Sequence, residues 1–251
     1  MLGAPKIGEA TAVFNVSQAG ELLNWISSVW EGGPAAANGS VRLADQDYNI
    51  KRGIDMGACV ITGIEFPELR ASDATGFLVQ ANFQPQNVRF PGGGGRLPPL
   101  PAPSGDAMLP GYFTVTMPAL ADEWIVSIGL PKITPKISRE HHGRAANRTA
   151  VYDTPELGTL TIEVAAEGFK TAEDLAVRIL QDGHCEESEF MDIIIDMKDQ
   201  SLKKTLGTFT LIGCGLKKFD WAPKLEGGKE GLATGALEFA VEDFRFNVAH
   251  K

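Results

Sequence analysis

Apolar and polar residues alternate with a period of two in one segment after another of this chain. That alternation confines it to a fold made of half-buried β-strands. YFTVTMPAL (112–120), WIVSIGLPKI (124–133) and GTLTIEVAA (158–166) each carry the pattern, the last with β-branched residues at alternate places. FMDIIIDMKD (190–199), GTFTLIGCGLKKFDW (207–221) and GALEFAVEDFRFNV (235–248) predict three more strands. In the first half SVRLADQDYNI (40–50), GACVITGIEFPEL (57–69) and TGFLVQANFQPQNVRF (75–90) predict another three.

Helical spacing occurs twice. Leu175, Ile179 and Leu180 follow Thr171, which reads as an N-cap with Asp174 three residues on, and Gly183 reads as the C′ residue. Residues 19–26 read as a second helix, with Ser17 as its cap and Gly32-Gly33 as its stop. The expected fold class is mainly β with flanking helices.

The strongest punctuation is PGGGGRLPPLPAPSGDA, residues 91–107, where glycine freedom meets proline stiffness. It predicts a linker between an amino-terminal module at 1–90 and a domain at 108–251. Both halves run helix first and three strands after. Gly57 and Gly63 fall opposite Gly207 and Gly213 at one constant offset, and Thr75-Gly76 falls opposite Thr234-Gly235. A degenerate internal half-repeat accounts for this, as does a chance sharing of turn glycines, and both readings stay open here.

A net charge of −9 argues against a protein that grips nucleic acid by neutralising phosphates. No stretch approaches the ~18 to 20 uninterrupted apolar residues of a membrane-spanning helix. Residues 1–15 lack the basic start and apolar run of a secretory signal, so none is expected. Three cysteines without a CxxC pair, Cys59, Cys185 and Cys214, suit synthesis in a reducing compartment.

No phosphate loop, nucleophile elbow, HExxH or EF-hand pattern occurs. His141-His142 and His184-Cys185 are sequence neighbours, which on an extended strand point to opposite faces, so no metal site is expected. No enzyme and no cofactor are expected. Arg139, Arg144 and Arg148, interleaved with His141 and His142, form a basic island suited to an acidic surface on a neighbouring copy. Glu238, Glu242 and Asp243 read as charge on a strand face rather than as acid–base partners.

From Met108 onward the order of elements resembles the tail-tube proteins of contractile phages. Their relatives include the Hcp ring protein of type VI secretion and the inner tubes of extracellular contractile injection systems. The resemblance rests on the opening strands YFTVTMPAL and WIVSIGLPKI with Gly129-Leu130. It continues through the Arg-rich hairpin SREHHGRAANRTAVYDTPELGTLTIEVA, the helix, FMDIIIDMKD, and the closing GTFTLIGCGLKKFDWAPKLEGGKEGLATGALEFAVEDFRF.

The resemblance implies a β-sandwich or barrel that assembles with copies of itself into hexameric rings, stacked as a tube within a virion tail or injection particle. Sheath, baseplate and tail-terminator proteins are the implied partners. The hairpin with Arg139, His141, His142, Arg144 and Arg148 is then expected to stack one ring on the next. Glu238, Glu242 and Asp243 are expected to face the lumen, where acids let DNA pass without binding. The amino-terminal module departs from a one-domain tube subunit and suggests a tube-end or baseplate ring as the second reading. A carbohydrate-binding β-sandwich is the third, and it would present a cluster of exposed aromatics.

Overall fold

The computed structural model describes residues 7–16, 22–26, 36–71, 73–98, 107–118, 120–140, 149–181, 190–220 and 234–248. The protein is mainly β with flanking helices. The strands of the first half are β1 (Ala10–Asn15), β2 (Ala37–Ala44), β3 (Ile50–Glu65), β4 (Leu69–Arg70), β5 (Leu78–Gln84) and β6 (Asn87–Arg89). Those of the second half are β7 (Phe113–Thr116), β8 (Ile125–Gly129), β9 (Ile133–Glu140), β10 (Thr149–Leu157), β11 (Leu160–Ala165), β12 (Met191–Lys198), β13 (Thr205–Asp220), β14 (Thr234–Ala240) and β15 (Asp243–Val248). A helical turn at 22–26, α1, follows β1, and α2 (Phe169–Ala176) follows β11.

The strands form two sheets. One runs β1-β5-β3-β9-β10, with β2 and β6 also on β3; the other runs β4-β8-β11-β14-β13-β12-β7, with β15 also on β13. They correspond to two compact units, Met1–Ile64, Val79–Gly105 and Thr134–Glu156 in the first, Glu65–Leu78, Asp106–Ile133 and Leu157–Lys251 in the second. Each unit takes strands from both sides of the Gly/Pro-rich stretch. Hairpin β9–β10 joins the first sheet, while β4 joins the second.

Alternation does its expected work in the second unit. Leu160, Ile162 and Val164 of β11 are fully buried, and so are Ile193, Ile195 and Met197 of β12, with Asp192 and Ile194 on the opposite, exposed face. The core is aromatic. Phe209 stacks on Phe246 with ring centroids 4.2 Å apart at 12°, and Phe66 meets Phe209 edge-on at 5.3 Å. Phe77 and Phe244 close the cluster at 6.0 and 5.8 Å from Phe209. Burying each such ring contributes about 1.5–3 kcal/mol, with a further increment from the ring geometry.

Several expected elements differ from the sequence reading, each for a local reason. SVRLADQDYNI is not one strand: Asp45 accepts the amide N–H groups of Asp47 and Asn49, Tyr48 adopts φ 64°, and the chain turns from β2 into β3. Lys51 Nζ, 2.9 Å away, and the Asn49 amide hold the Asp45 carboxyl down at about 2. Thr171 is not the N-cap of α2. A 3-10 turn at Ala166–Gly168 starts the winding earlier, Gly168 is the cap residue, and no side chain caps it. Packing sets that start, because a Cβ on Gly168 would sit 2.6 Å from Val164 and 2.9 Å from Trp124. Gly183 and the Ser17 and Gly32-Gly33 signals lie outside the described residues.

The front of the expected linker is tied down. Arg52 bridges Gly92, and Asn49 bridges Arg96. The Gly94 N–H donates to the Ile50 carbonyl, and the Ile50 N–H donates to Gly95, both at 3.0 Å. Glycine is required there by close approach: a Cβ on Gly93 would stand 2.6 Å from the Lys51 carbonyl oxygen.

The internal repeat is real at the level of strand register, at an offset other than the one the glycines suggested. β3 and β13 are both 16 residues long, and β2 and β12 both eight. β2 pairs β3 from Ala37↔Cys59 to Ala44↔Ile50, and β12 pairs β13 from Met191↔Cys214 to Lys198↔Thr205. Both long strands bulge at their ninth residue, Ala58 with φ 49° and Gly213 with φ 64°. At both bulges the amide N–H donates to the second residue of the partner strand, Asn38 Oδ1 at 3.0 Å and Asp192 Oδ1 at 3.1 Å.

The returning chain matches too: the Gln86 N–H donates to Gly57 at 3.0 Å, and the Glu242 N–H donates to Ile212 at 3.1 Å. The match sets Gly213 opposite Ala58 rather than Gly63. It also explains why both GALEFAVEDFRFNV and TGFLVQANFQPQNVRF break into two strands, since the bulge interrupts their pairing at 241–242 and at 85–86.

Two substitutions test this packing. Phe209→Ala is expected to cost about 3–5 kcal/mol, and Asp192→Ala, which orphans the bulge amide, about 1 kcal/mol. Chemical denaturation followed by circular dichroism reads both.

Candidate functional site

Comparing the two repeats rung by rung locates the surface on which a function can rest. In the second unit Ile195, Phe209 and Phe246 lie side by side across β12, β13 and β15. In the first unit the matching rung is Val41, Ile54 and Phe90, where Val41 pairs with Ile54 and the chain after β6 runs on towards the Arg52–Gly92 bridge. The next rung matches Met197 with Leu43.

The chemistry of the two faces is alike and their burial is opposite. Ile195, Met197 and Phe209 are 0% exposed, whereas Val41 is 44% exposed, Leu43 56% and Phe90 77%. The other face of the same hairpin is polar, with Arg42 ion-paired to Asp55. The first unit therefore carries a β-face with the make-up of a core that the described residues of its own chain leave uncovered.

The cover in the second unit comes from the segment after β3. Phe66 and Phe77, at the two ends of residues 66–77, pack on Phe209, and Phe66 also reaches Phe244 and Phe246.

The expected lumen acids do not form one cluster. Glu238 lies on β14 within 3.4 Å of Lys218 Nζ, which is shared with Asp220. Hydrogen bonds to Glu238 and Asp220 raise the Lys218 ammonium above its ordinary range. Glu242 sits at the bulge, its carboxylate over the space where a Cβ of Gly213 would stand. Asp243 starts β15, accepts its neighbour's amide N–H from Phe244, and pairs with Arg245 at 3.3 Å. Two of the three acids thus have a cation beside them.

Arg139 lies on β9, with its side chain outside the described residues, as are His141, His142, Arg144 and Arg148. The hairpin itself is present, β9 pairing with β10. His184-Cys185, Trp30 and Trp221 also lie outside the described residues. Among the described residues no three His, Cys, Asp or Glu side chains converge as a metal needs, and no helix is long and apolar enough to cross a membrane.

Cys59 and Cys214 occupy matching places directly after the two bulges, both buried. Burial pushes the Cys214 thiol up to about 12, with the Asp192 carboxylate adding to it, and burial raises Cys59 as well. Both are structural fillers rather than nucleophiles.

The sequence reading missed the uncovered face. Its signal was present in Val41, Leu43, Ile54 and Phe90 at alternate positions, but alternation marks a face as apolar without saying what lies on it.

No family model matches the chain, and no curated protein matches it. Solved structures are similar to part of it. A chain in the cryo-EM structure of the anti-feeding prophage cap, the tube-terminating cap, is 13% identical; the match covers 55% of this chain and 88% of that one, with TM-score 0.45. A chain in the PVC sheath–tube complex of an extracellular contractile injection system, in the extended state, is 13% identical over 55% and 89%, with TM-score 0.46. A chain in the anti-feeding prophage baseplate is 15% identical over 53% and 89%, with TM-score 0.39.

Thiol chemistry checks the placement of the cysteines. At pH 8 in the native protein, Cys59 and Cys214 are expected to resist alkylation, and to react fully once guanidinium unfolds the chain. Peptide mapping by mass spectrometry distinguishes the two states.

Proposed function

We propose that this chain is a structural, non-enzymatic subunit of the tail tube of a contractile phage or phage-like injection system, working by assembly with copies of itself into rings. The observation that carries the reading is the uncovered apolar face of the first unit. An exposed rung that would sit in a core elsewhere in the same molecule is stable in water only when association covers it. The order of strands and helix from Met108 onward, with its resemblance to tail-tube proteins, supplies the kind of assembly. A ring also closes off sheet edges that would otherwise pair without limit.

In this reading the rings are hexameric and stack into a conduit for DNA or effector, in contact with sheath, baseplate and terminator proteins. Arg139, His141, His142, Arg144 and Arg148 carry the stacking contact, and Glu238, Glu242 and Asp243 face the lumen. Glu238 and Asp243 have cations beside them, so their repulsion of DNA is weaker than that of bare carboxylates.

A second reading, a ring at the tube end or baseplate, is favoured by the duplication. One chain with two matched but non-identical units presents two different surfaces, which suits an adaptor between unlike neighbours.

Negative-stain electron microscopy over a concentration series tests the assembly. Rings or hollow tubes of uniform width are expected; a dispersed monomer at every concentration overturns the reading and returns a binding module to consideration. Reversing Arg144 and Arg148 to Glu is expected to leave rings intact and shorten tubes. Unchanged tube length and yield removes the hairpin from the stacking contact.

A further inference from the structure

The repeat register points to the occupant of the uncovered face. In the second unit the matching face is covered by the chain that leaves the long strand of the first: β3 ends at Glu65, and Phe66 goes directly onto Phe209, Phe244 and Phe246. The cover is thus passed forward, from the long strand of one unit to the face of the next. β13 is the second long strand and ends at Asp220, in the register position of Glu65. The sequence that follows it opens Trp221-Ala222-Pro223-Lys224-Leu225, against Phe66-Pro67-Glu68-Leu69 after β3.

An aromatic stands at the first place after both strands, and a proline and a leucine follow within five residues. Residues 221–233 lie outside the described structure, so only the repeat assigns them. Passing the cover forward once more from β13 leads beyond the two units of this chain. The first unit's Val41, Leu43 and Phe90, exposed among the described residues, are that next face on another copy.

We propose that the rung Val41–Ile54–Phe90 of one copy receives the segment opening at Trp221 of a second copy. That segment takes the role that Phe66 fills within the chain on the rung Ile195–Phe209–Phe246. The contact is heterologous, a donor segment on one side and an acceptor face on the other, so it propagates head to tail and closes when the rotation between copies allows. This rests on the self-assembly reading above and names the surfaces that make it.

Paired cysteines test it. One protein carries Val41→Cys, a second, longer by a tag, carries Leu225→Cys, and both carry Cys185→Ser. Mixed and oxidised, they are expected to give a disulfide-linked species containing one chain of each kind, absent when either variant is oxidised alone. Two outcomes overturn the proposal. One is no mixed species although both variants retain the native circular dichroism spectrum; the other is a link formed only inside a chain carrying both substitutions, which makes the cover intramolecular.

Phe90→Asp, at a position exposed in the isolated chain, supplies a second measurement. It is expected to raise the concentration needed for association at least about tenfold, the equivalent of ~1.4 kcal/mol, with unchanged folding. An unaltered assembly threshold also overturns the proposal. Electron microscopy of the same samples separates this proposal from the wider reading. A mixed species without rings keeps the contact and removes the tube, whereas rings without the mixed species keep the tube and remove the contact.

Discussion

Everything in this molecule depends on a long strand that changes partners half-way. A 16-residue strand spans roughly 50 Å when straight, too long for one small sheet to occupy on both faces. The bulges at Ala58 and Gly213 solve this by placing one residue in the left-handed region, which re-aims the strand while its chain continues. On β13 the residues before the bulge pair with β12 and β15, and those after it pair with β14. One strand thereby ties together layers that would otherwise need separate connections. The Asx side chain that receives the bulge amide, Asn38 or Asp192, removes the cost of a backbone donor left without a partner.

The same device occurring twice, with lengths, registers and hydrogen bonds preserved, makes the two units a natural control for each other. Where they agree, as in the buried cysteine after each bulge, the requirement belongs to the fold. Where they differ, the requirement belongs to what each unit does. The second unit buries its hairpin face under Phe66 and Phe77, and the first presents chemically similar residues to water. The difference is one of cover and not of strand pairing. Ala58 in a conformation that glycine adopts more readily is tolerable because the surrounding ladder fixes it from both sides.

Charge has a smaller part in this architecture. The acids at 238 and 243 have Lys218 and Arg245 beside them, and these exposed pairs contribute little to stability. Their effect is to moderate the field of an acidic protein at one surface. The buried interior depends on aromatic and aliphatic contact, and Ser127, the buried polar residue of the described core, gives its hydroxyl to Glu163 at 2.8 Å.

The mainly β class, the positions of most strands and the helix after β11 were legible in the sequence, because period-two alternation and helical spacing are local patterns. LTIEVA and MDIIIDMK declare a buried and an open face without reference to anything distant. The existence of a repeat was legible through its glycines, but its register was not. Glycine marks many kinds of turn, and here the matching bulge residue is alanine in one unit and glycine in the other. The start of α2 was misplaced because Thr171 has the chemistry of a cap, while the close approach of Val164 and Trp124 to Gly168 decides where winding begins. Sequence by itself determined which residues form apolar faces. Tertiary structure alone decided which of those faces are covered, since alternation is a property of neighbours along the chain and burial is a property of neighbours in space.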